Sequence, residues 1–198
     1  RLEEVFMENI ISNYIKDIDK LLKSLNSSEV SNVIHIINEC YKKNRQIFIM
    51  GNGGSASTSS HFACDLGKGT IVKGKERLRV MSLSDNMALI TAISNDYGYE
   101  YIFSEQLENL VNEKDVVIAI SASGNSPNII KGVEYVKEKK AIVIGFTGFN
   151  GGKLRELSDI CIHINCDNYG QIEDIHMLLC HLISQGIRHL ILNNTDEN

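Results

Sequence analysis

The chain has 198 residues, 43% apolar and 23% charged, which suits one domain with a substantial core and is too apolar for a disordered chain. Its net charge of -5 and pI near 5.7 argue against a nucleic-acid binder working through a general basic surface. No uninterrupted apolar run approaches the roughly 18 residues of a membrane span, and Glu3 and Glu4 stand where an export signal would be basic and then apolar. A cytoplasmic location, no membrane and no nucleic acid are therefore expected.

Residues 2–24 carry Leu2, Val5, Phe6, Ile10, Tyr14, Ile18, Leu21 and Leu22 at helical spacing, continued by Leu25. Asn26-Ser27-Ser28 breaks the pattern and offers an N-cap for a second helix over about 28–43. Two leading amphipathic helices on a small domain often pack against another subunit, so residues 1–45 read as a helical extension and 46–198 as the main domain. From there short apolar runs alternate with helices. Residues 46–50, 78–83, 115–120, 141–146 and 160–164 read as strands. Helices are expected over about 56–67, after Ser84-Asp85, from the 121–126 loop to about 138, near 152–157 and over 171–192. Continuous apolar strands alternating with helices predict an α/β fold, a five-stranded parallel sheet covered on both faces. Ligands of such sheets sit beyond the carboxyl ends of the strands, at the loops 51–55, 84–86 and 121–126. The five cysteines are odd in number and lack CxxC spacing, which predicts reduced, mostly buried thiols.

Gly51-Asn52-Gly53-Gly54-Ser55-Ala56 loosely matches the dinucleotide fingerprint G-x-G-x-x-A. The acidic residue that fingerprint needs after the second strand comes late, at Asp85, and Asn and Ser side chains stand where a cofactor loop uses bare backbone. Ser121-Ala122-Ser123-Gly124-Asn125-Ser126 follows a strand and opens a helix. Its hydroxyls, its backbone N–H groups and the positive helix end suit a phosphate. The plain alternative is a helix cap, for which one serine suffices. His61 and Asp65, four apart on the helix after the glycine loop, share a face and suit a metal pair or an acid–base pair. For His61 alone, a capped or half-buried histidine is the competing reading.

Gly51-Asn52-Gly53-Gly54-Ser55 with His61, Asn95-Asp96-Tyr97-Gly98, Ser121 to Ser126, Thr147-Gly148 with Gly151-Gly152, and a last helix with His176 and His181 together resemble the phosphoheptose isomerases of the sugar-isomerase (SIS) superfamily. The resemblance runs in order over nearly the whole chain. It implies a single SIS phosphosugar-binding domain and conversion of sedoheptulose 7-phosphate to D-glycero-D-manno-heptose 7-phosphate through an enediol. It also implies a homotetramer and zinc at the active site. Asn52, Gly53, Gly54 and Ser55 then correspond to the sugar-contacting loop, and Asn95 and Asp96 to further substrate contacts. Ser121, Ser123 and Ser126 correspond to phosphate ligands, with Ala122 where the family usually has threonine.

By the same resemblance His61, Asp65, Glu173 and His181 form the metal set. Asp65, Glu173 and the phosphate loop also touch substrate, and Asp65 and His181 are the acid–base candidates. Periodicity alone does not choose Glu173: it lies about 80° from His181 around the helix, whereas Asp174 lies at about 20°. Favourable charge in a first helical turn is the plain reading of either acid. The chain departs from the family at Asp65 and Glu173, where glutamate and glutamine are usual, at Gly69 in place of arginine with Lys68 beside it, and at Gly170 in place of aspartate. These changes surround the sugar end and leave the phosphate end intact. An isomerase of another phosphosugar and a non-catalytic SIS adaptor are the competing functions. Retention of both His61 and His181 argues against the adaptor. His176 reads as a packing residue or a structural hydrogen-bond partner, and His35, His163 and His189 as structural.

Overall fold

The alternating pattern resolves into a five-stranded, all-parallel sheet in the order β2-β1-β3-β4-β5. The computed structural model describes residues 2–193; the side chains of residues 2–4, including that of Leu2, and all of residues 194–198 lie outside the described residues. Helices α1 (Leu2–Ser24) and α2 (Ser27–Lys42) precede β1 (Gln46–Gly51). Helix α3 (Gly54–Cys64) runs into a π-helical turn, Asp65–Gly69, before β2 (Arg79–Ser82). Helix α4 (Met87–Asp96), a 3-10 turn (Tyr99–Tyr101) and α5 (Ser104–Leu110) lead to β3 (Val116–Ser121). Then come α6 (Pro127–Glu138), β4 (Ile142–Thr147), α7 (Gly152–Leu157), β5 (Ile160–His163) and α8 (Tyr169–Asn193).

Side chains alternate between two cores, as the period of two in a strand requires. Ile47 and Ile49 of β1 and Val116, Ile118 and Ile120 of β3 pack with α2, α3 and α8. Phe48, Met50, Val117 and Ala119 pack on the other face with α4 to α7. Helix α2 buries Val30, Val33 and Ile37 in the first core, and Ile18, Leu21, Leu22 and Leu25 pack against its edge. Asn26 caps α2 as expected, accepting from the N–H groups of Ser28 and Glu29. The buried Asp115 carboxylate accepts from the N–H groups of Gln46 and Asn112 and so joins the start of β1 to the start of β3.

The chain steps outward from β1 to β2 and then crosses back to β3 on the other side of β1. The strand order therefore reverses between β1 and β3, the kind of place at which parallel sheets bind their ligands. The loops after these two strands are the glycine loop and the serine loop.

Two details differ from the expectations, and a third qualifies one. The expected helix over 56–67 keeps α-helical geometry only to Cys64 and widens into the π-turn at Asp65. The segment after β2 holds two helices, because Gly98 turns the chain at φ +111° between them. Helix α8 is apolar enough by length and composition to cross a membrane, although polar residues interrupt its runs. Its buried residues, Ile172, Ile175, Leu179, Ile183, Ile187 and Ile191, form one wall of the first core, which is the packing of a core helix. All five cysteines are free; Cys40 and Cys180 are buried, Cys161 and Cys166 half-buried and Cys64 exposed.

Candidate active site

The glycine loop leaves β1 through Gly53, whose φ of +55° and ψ of -123° suit glycine alone, and α3 begins at Gly54. Ser84, after β2, holds the end of β1: its Oγ donates to the Gly51 carbonyl at 3.0 Å and accepts from the Gly51 N–H at 3.4 Å. The Glu173 carboxylate of α8 rests against Gly54, where a Cβ would meet both of its oxygens at 2.4 Å. An anion at the N-terminus of α3 is favoured by the helix dipole. Because α8 starts at Tyr169, neither Glu173 nor Asp174 lies in its first turn. Asp174 accepts instead from the Tyr14 hydroxyl of α1 at 2.5 Å. That bond to a carboxylate holds the phenolic proton and pushes the Tyr14 pKa up to about 12. The same hydroxyl lies 3.3 Å from the position of a Cβ at Gly170.

Asn52, Gly53 and Asn95 line an open cavity of about 570 Å³ together with Ser84, Thr91, Ser94 and Tyr99, over an apolar floor that includes Ile102 and Phe103. Asn95 donates to the Asp96 carboxylate at 2.8 Å, so the two expected contact residues are bonded to each other at the end of α4.

The serine loop after β3 is tied down by its own backbone. The Gly124 N–H donates to the Ser121 carbonyl at 3.0 Å, the Leu154 N–H to the Gly124 carbonyl at 2.9 Å and the Gly148 N–H to the Ala122 carbonyl at 2.8 Å. Ser126 occupies the N-cap of α6, with Pro127 in the first turn, yet its hydroxyl makes no capping bond. It lies 3.4 Å from the Ser121 hydroxyl. The cap reading would place that hydroxyl on a helix N–H. Ser126 Oγ and Ser121 Oγ are instead paired beside the helix N-terminus, the arrangement a phosphate would enter. The Ser123 hydroxyl accepts from the Asn125 N–H at 3.3 Å.

Helices α3 and α8 run side by side in the same direction: Gly54 faces Glu173, and two turns further on His61 faces His181. The two histidine Nε2 atoms are 2.8 Å apart, with the rings at 82°. Asp65 Oδ2 lies 3.2 Å from His61 Nε2 and 3.6 Å from His181 Nε2. These are ion-pair distances without hydrogen-bond alignment, and Oδ2 is buried with no hydrogen-bond partner. Three donor atoms, one of them an unsatisfied carboxylate oxygen, thus lie within 4.8 Å of one another. This nitrogen–oxygen set suits zinc or another divalent ion. Glu173 is outside that grouping, about 12 Å from His181 in rise along α8. The π-turn begins at Asp65, a position at which such local widening often accompanies function.

His176 is fully buried, its Nε2 lying 3.4 Å from the Thr147 carbonyl and its Nδ1 without a partner. Burial pushes its pKa down to about 4. His163 Nδ1 lies 3.1 Å from the Thr147 hydroxyl. The Gly69 carbonyl accepts from Arg188 at 3.3 Å. Sequence reasoning stopped short of Tyr99 and Asn128, both of which bond Asn52, and named Ser84 only as part of a ligand loop. Asn128 lies two residues beyond the serine loop, and only that nearness marked it.

The SIS domain family model matches residues 13–148. Phosphoheptose isomerase 1 of Campylobacter jejuni is 35% identical over 183 residues, covering 91% of this chain and 98% of its own length. A phosphoheptose isomerase of Helicobacter pylori is 38% identical over 179 residues, covering 89% and 93%. The solved structure of the phosphoheptose isomerase of Neisseria gonorrhoeae is similar with a TM-score of 0.85 at 29% identity, over 96% of this chain and all of that one. Fold, loop order and curated relatives agree, and the chain belongs to the phosphoheptose isomerase family of SIS-domain proteins.

Proposed function

We propose that this chain is an aldose–ketose isomerase that converts sedoheptulose 7-phosphate to D-glycero-D-manno-heptose 7-phosphate through an enediol. The observation that carries this reading is the convergence of His61, Asp65 and His181 on one point, in a chain that also keeps an uncapped serine loop at a helix N-terminus. Ser121, Ser123 and Ser126, with the backbone at Ala122, hold the phosphate. Asn52, Gly53, Gly54, Ser55, Asn95, Asp96 and Glu173 contact the sugar.

The reaction removes a proton from C1 of the ketose while the C2 carbonyl oxygen gains one, giving the enediol. A proton then returns to C2 as the O1 hydroxyl loses its own, leaving the aldehyde. We assign Asp65 as the base for carbon and His181 as the group that moves the oxygen protons. Zinc, or a related divalent ion, would be held by His61, Asp65 and His181 and would polarise the carbonyl when bound. Glu173, outside that grouping in this structure, would be the fourth ligand by the family resemblance. The assembly is a homotetramer, supported by the exposed apolar residues of α1, and the location is the cytoplasm. Residues 1–45 serve assembly and 46–198 hold the phosphosugar.

A second reading, isomerisation of another phosphosugar, is favoured by the Tyr14 hydroxyl beside Gly170, the position at which the resemblance expects an aspartate. Incubation of the zinc-loaded protein with five-, six- and seven-carbon ketose phosphates, following aldose formation, separates the two. Selective turnover of the seven-carbon ketose supports the first reading. Selective turnover of a shorter one replaces it with the second.

A further inference from the structure

Across the reversal of strand order, one side-chain pair joins the glycine loop to the helix behind the serine loop. Asn52 Nδ2 donates to Asn128 Oδ1 at 2.8 Å, and Asn128 Nδ2 donates to Asn52 Oδ1 at 2.9 Å. The Ile129 backbone N–H also donates to Asn128 Oδ1, at 2.9 Å. A backbone N–H has no alternative tautomer or flip, so it fixes which end of the Asn128 carboxamide is oxygen. Asn128 in turn fixes the Asn52 carboxamide, because only one orientation matches donor to acceptor at both bonds. The Tyr99 hydroxyl then donates to the same Asn52 Oδ1, at 3.0 Å. Asn52 Oδ1 thus accepts twice, and one Asn52 Nδ2 proton is not used by the pair.

Asn128 is 1% exposed, so the pair is sheltered from water on its side, whereas Asn52 and Tyr99 both line the cavity of about 570 Å³. We infer that Asn128 and Tyr99 are positioning residues: they lock the Asn52 carboxamide with its free N–H available to a hydroxyl or carbonyl oxygen of the sugar, and they keep the sugar loop in fixed relation to the phosphate loop. The inference rests on the reading of Asn52 as a sugar contact. Neither residue need touch the reacting atoms. The pair forms a hydrogen-bonded ring across the β1–β3 reversal, and its loss frees a loop that has glycine on both sides of Asn52.

The test is a double-mutant cycle. Tyr99 is half exposed, so Tyr99→Phe removes one hydroxyl without opening the core. The variants Tyr99→Phe, Asn52→Ala and the double are compared in Kd for sedoheptulose 7-phosphate and for inorganic phosphate, by calorimetry, and in KM and kcat. Tyr99→Phe is expected to weaken sugar-phosphate binding about three- to ten-fold, the loss of one net hydrogen bond, with phosphate affinity unchanged. In the Asn52→Ala background the same change is expected to have no effect, because the partner is gone. Equal losses in both backgrounds, or no loss in either, would overturn the inference. A side-chain spectrum of the ligand-free, 15N-labelled protein keeps the matter decidable if no sugar binds. Locking predicts that the Asn52 Nδ2 proton bonded to Asn128 exchanges slowly with water in the wild type and rapidly in Asn128→Ser. Equally rapid exchange in both would refute it, whereas absence of turnover with a locked Asn52 would remove only the isomerase reading.

Discussion

At the scale of single residues, Gly54 shows how an absent side chain can define a site. Alanine is the better helix former by about 1 kcal/mol, yet a Cβ here would stand within 2.4 Å of the Glu173 carboxylate. That carboxylate ends a flexible side chain and can move aside. Gly54→Ala is therefore expected to leave stability within about 1 kcal/mol by denaturant unfolding, while raising KM for the sugar phosphate through displaced Glu173. Truncating Glu173 removes the collision, so Gly54→Ala should add little to the KM of a Glu173→Ala background. Equal KM changes in both backgrounds would show that Gly54 acts apart from Glu173. Asp65 illustrates the reverse case, a side chain with an unfilled need. Its buried Oδ2 has two imidazoles beside it and no hydrogen bond, a donor set that suits a divalent ion.

At the scale of elements, α8 carries both ends of the candidate chemistry and is anchored between them by His176. The folded pKa of His176, about 4, lies below the ordinary value of 6.5. Between those values the unfolded chain binds the proton and the folded one does not. Stability should thus be full above about pH 6.5 and fall as the pH drops toward 4, on the order of 1 kcal/mol per pH unit from this group. Thermal unfolding across that range should show a shallower slope in His176→Gln than in the wild type; identical slopes would assign the acid sensitivity to other groups. The strands and the long helices were legible because runs of Ile, Val and Phe and the 3.6-residue period report burial directly. The histidine–aspartate pairing was legible because four residues is one helical turn. The position of Glu173 was not, since which way a long side chain leans depends on the Gly54 gap across the interface. The serine loop read as a phosphate site over a plain cap because it carries three hydroxyls, and the free Ser126 hydroxyl, which makes no capping bond, is consistent with that reading. Asn128 and Tyr99 stayed hidden for a related reason: an asparagine near a helix start and a tyrosine after a turn have ordinary local explanations, and their shared partner is distant in the chain.

At the scale of the whole molecule, α1 presents apolar side chains on more than one face. Ile18, Leu21 and Leu22 are packed against the first core, but Val5, Phe6, Met7, Ile10, Ile11 and Ile15 are exposed, Phe6 by 64%. Leu178 and Leu182 of α8 are exposed beside His181. Contiguous apolar surface of this kind marks an interface with another protein surface. The tetramer proposal predicts a particle four times the 22.1 kDa chain mass by light scattering. Replacing Phe6 and Ile10 together with aspartate should reduce it to smaller species, and a wild-type monomer would refute the proposal.

The central proposal is a metal-assisted isomerase whose ion would be held where α3 and α8 meet. The most direct measurement is turnover of sedoheptulose 7-phosphate by the protein as purified, after chelation, and after zinc is restored, beside His181→Ala treated in the same way. The account predicts that chelation abolishes aldose formation and zinc restores it. It further predicts that His181→Ala stays inactive at every zinc level while remaining folded, with a loss of at least about 10²-fold. Full activity after complete metal removal, or zinc-restored activity in His181→Ala, would contradict it.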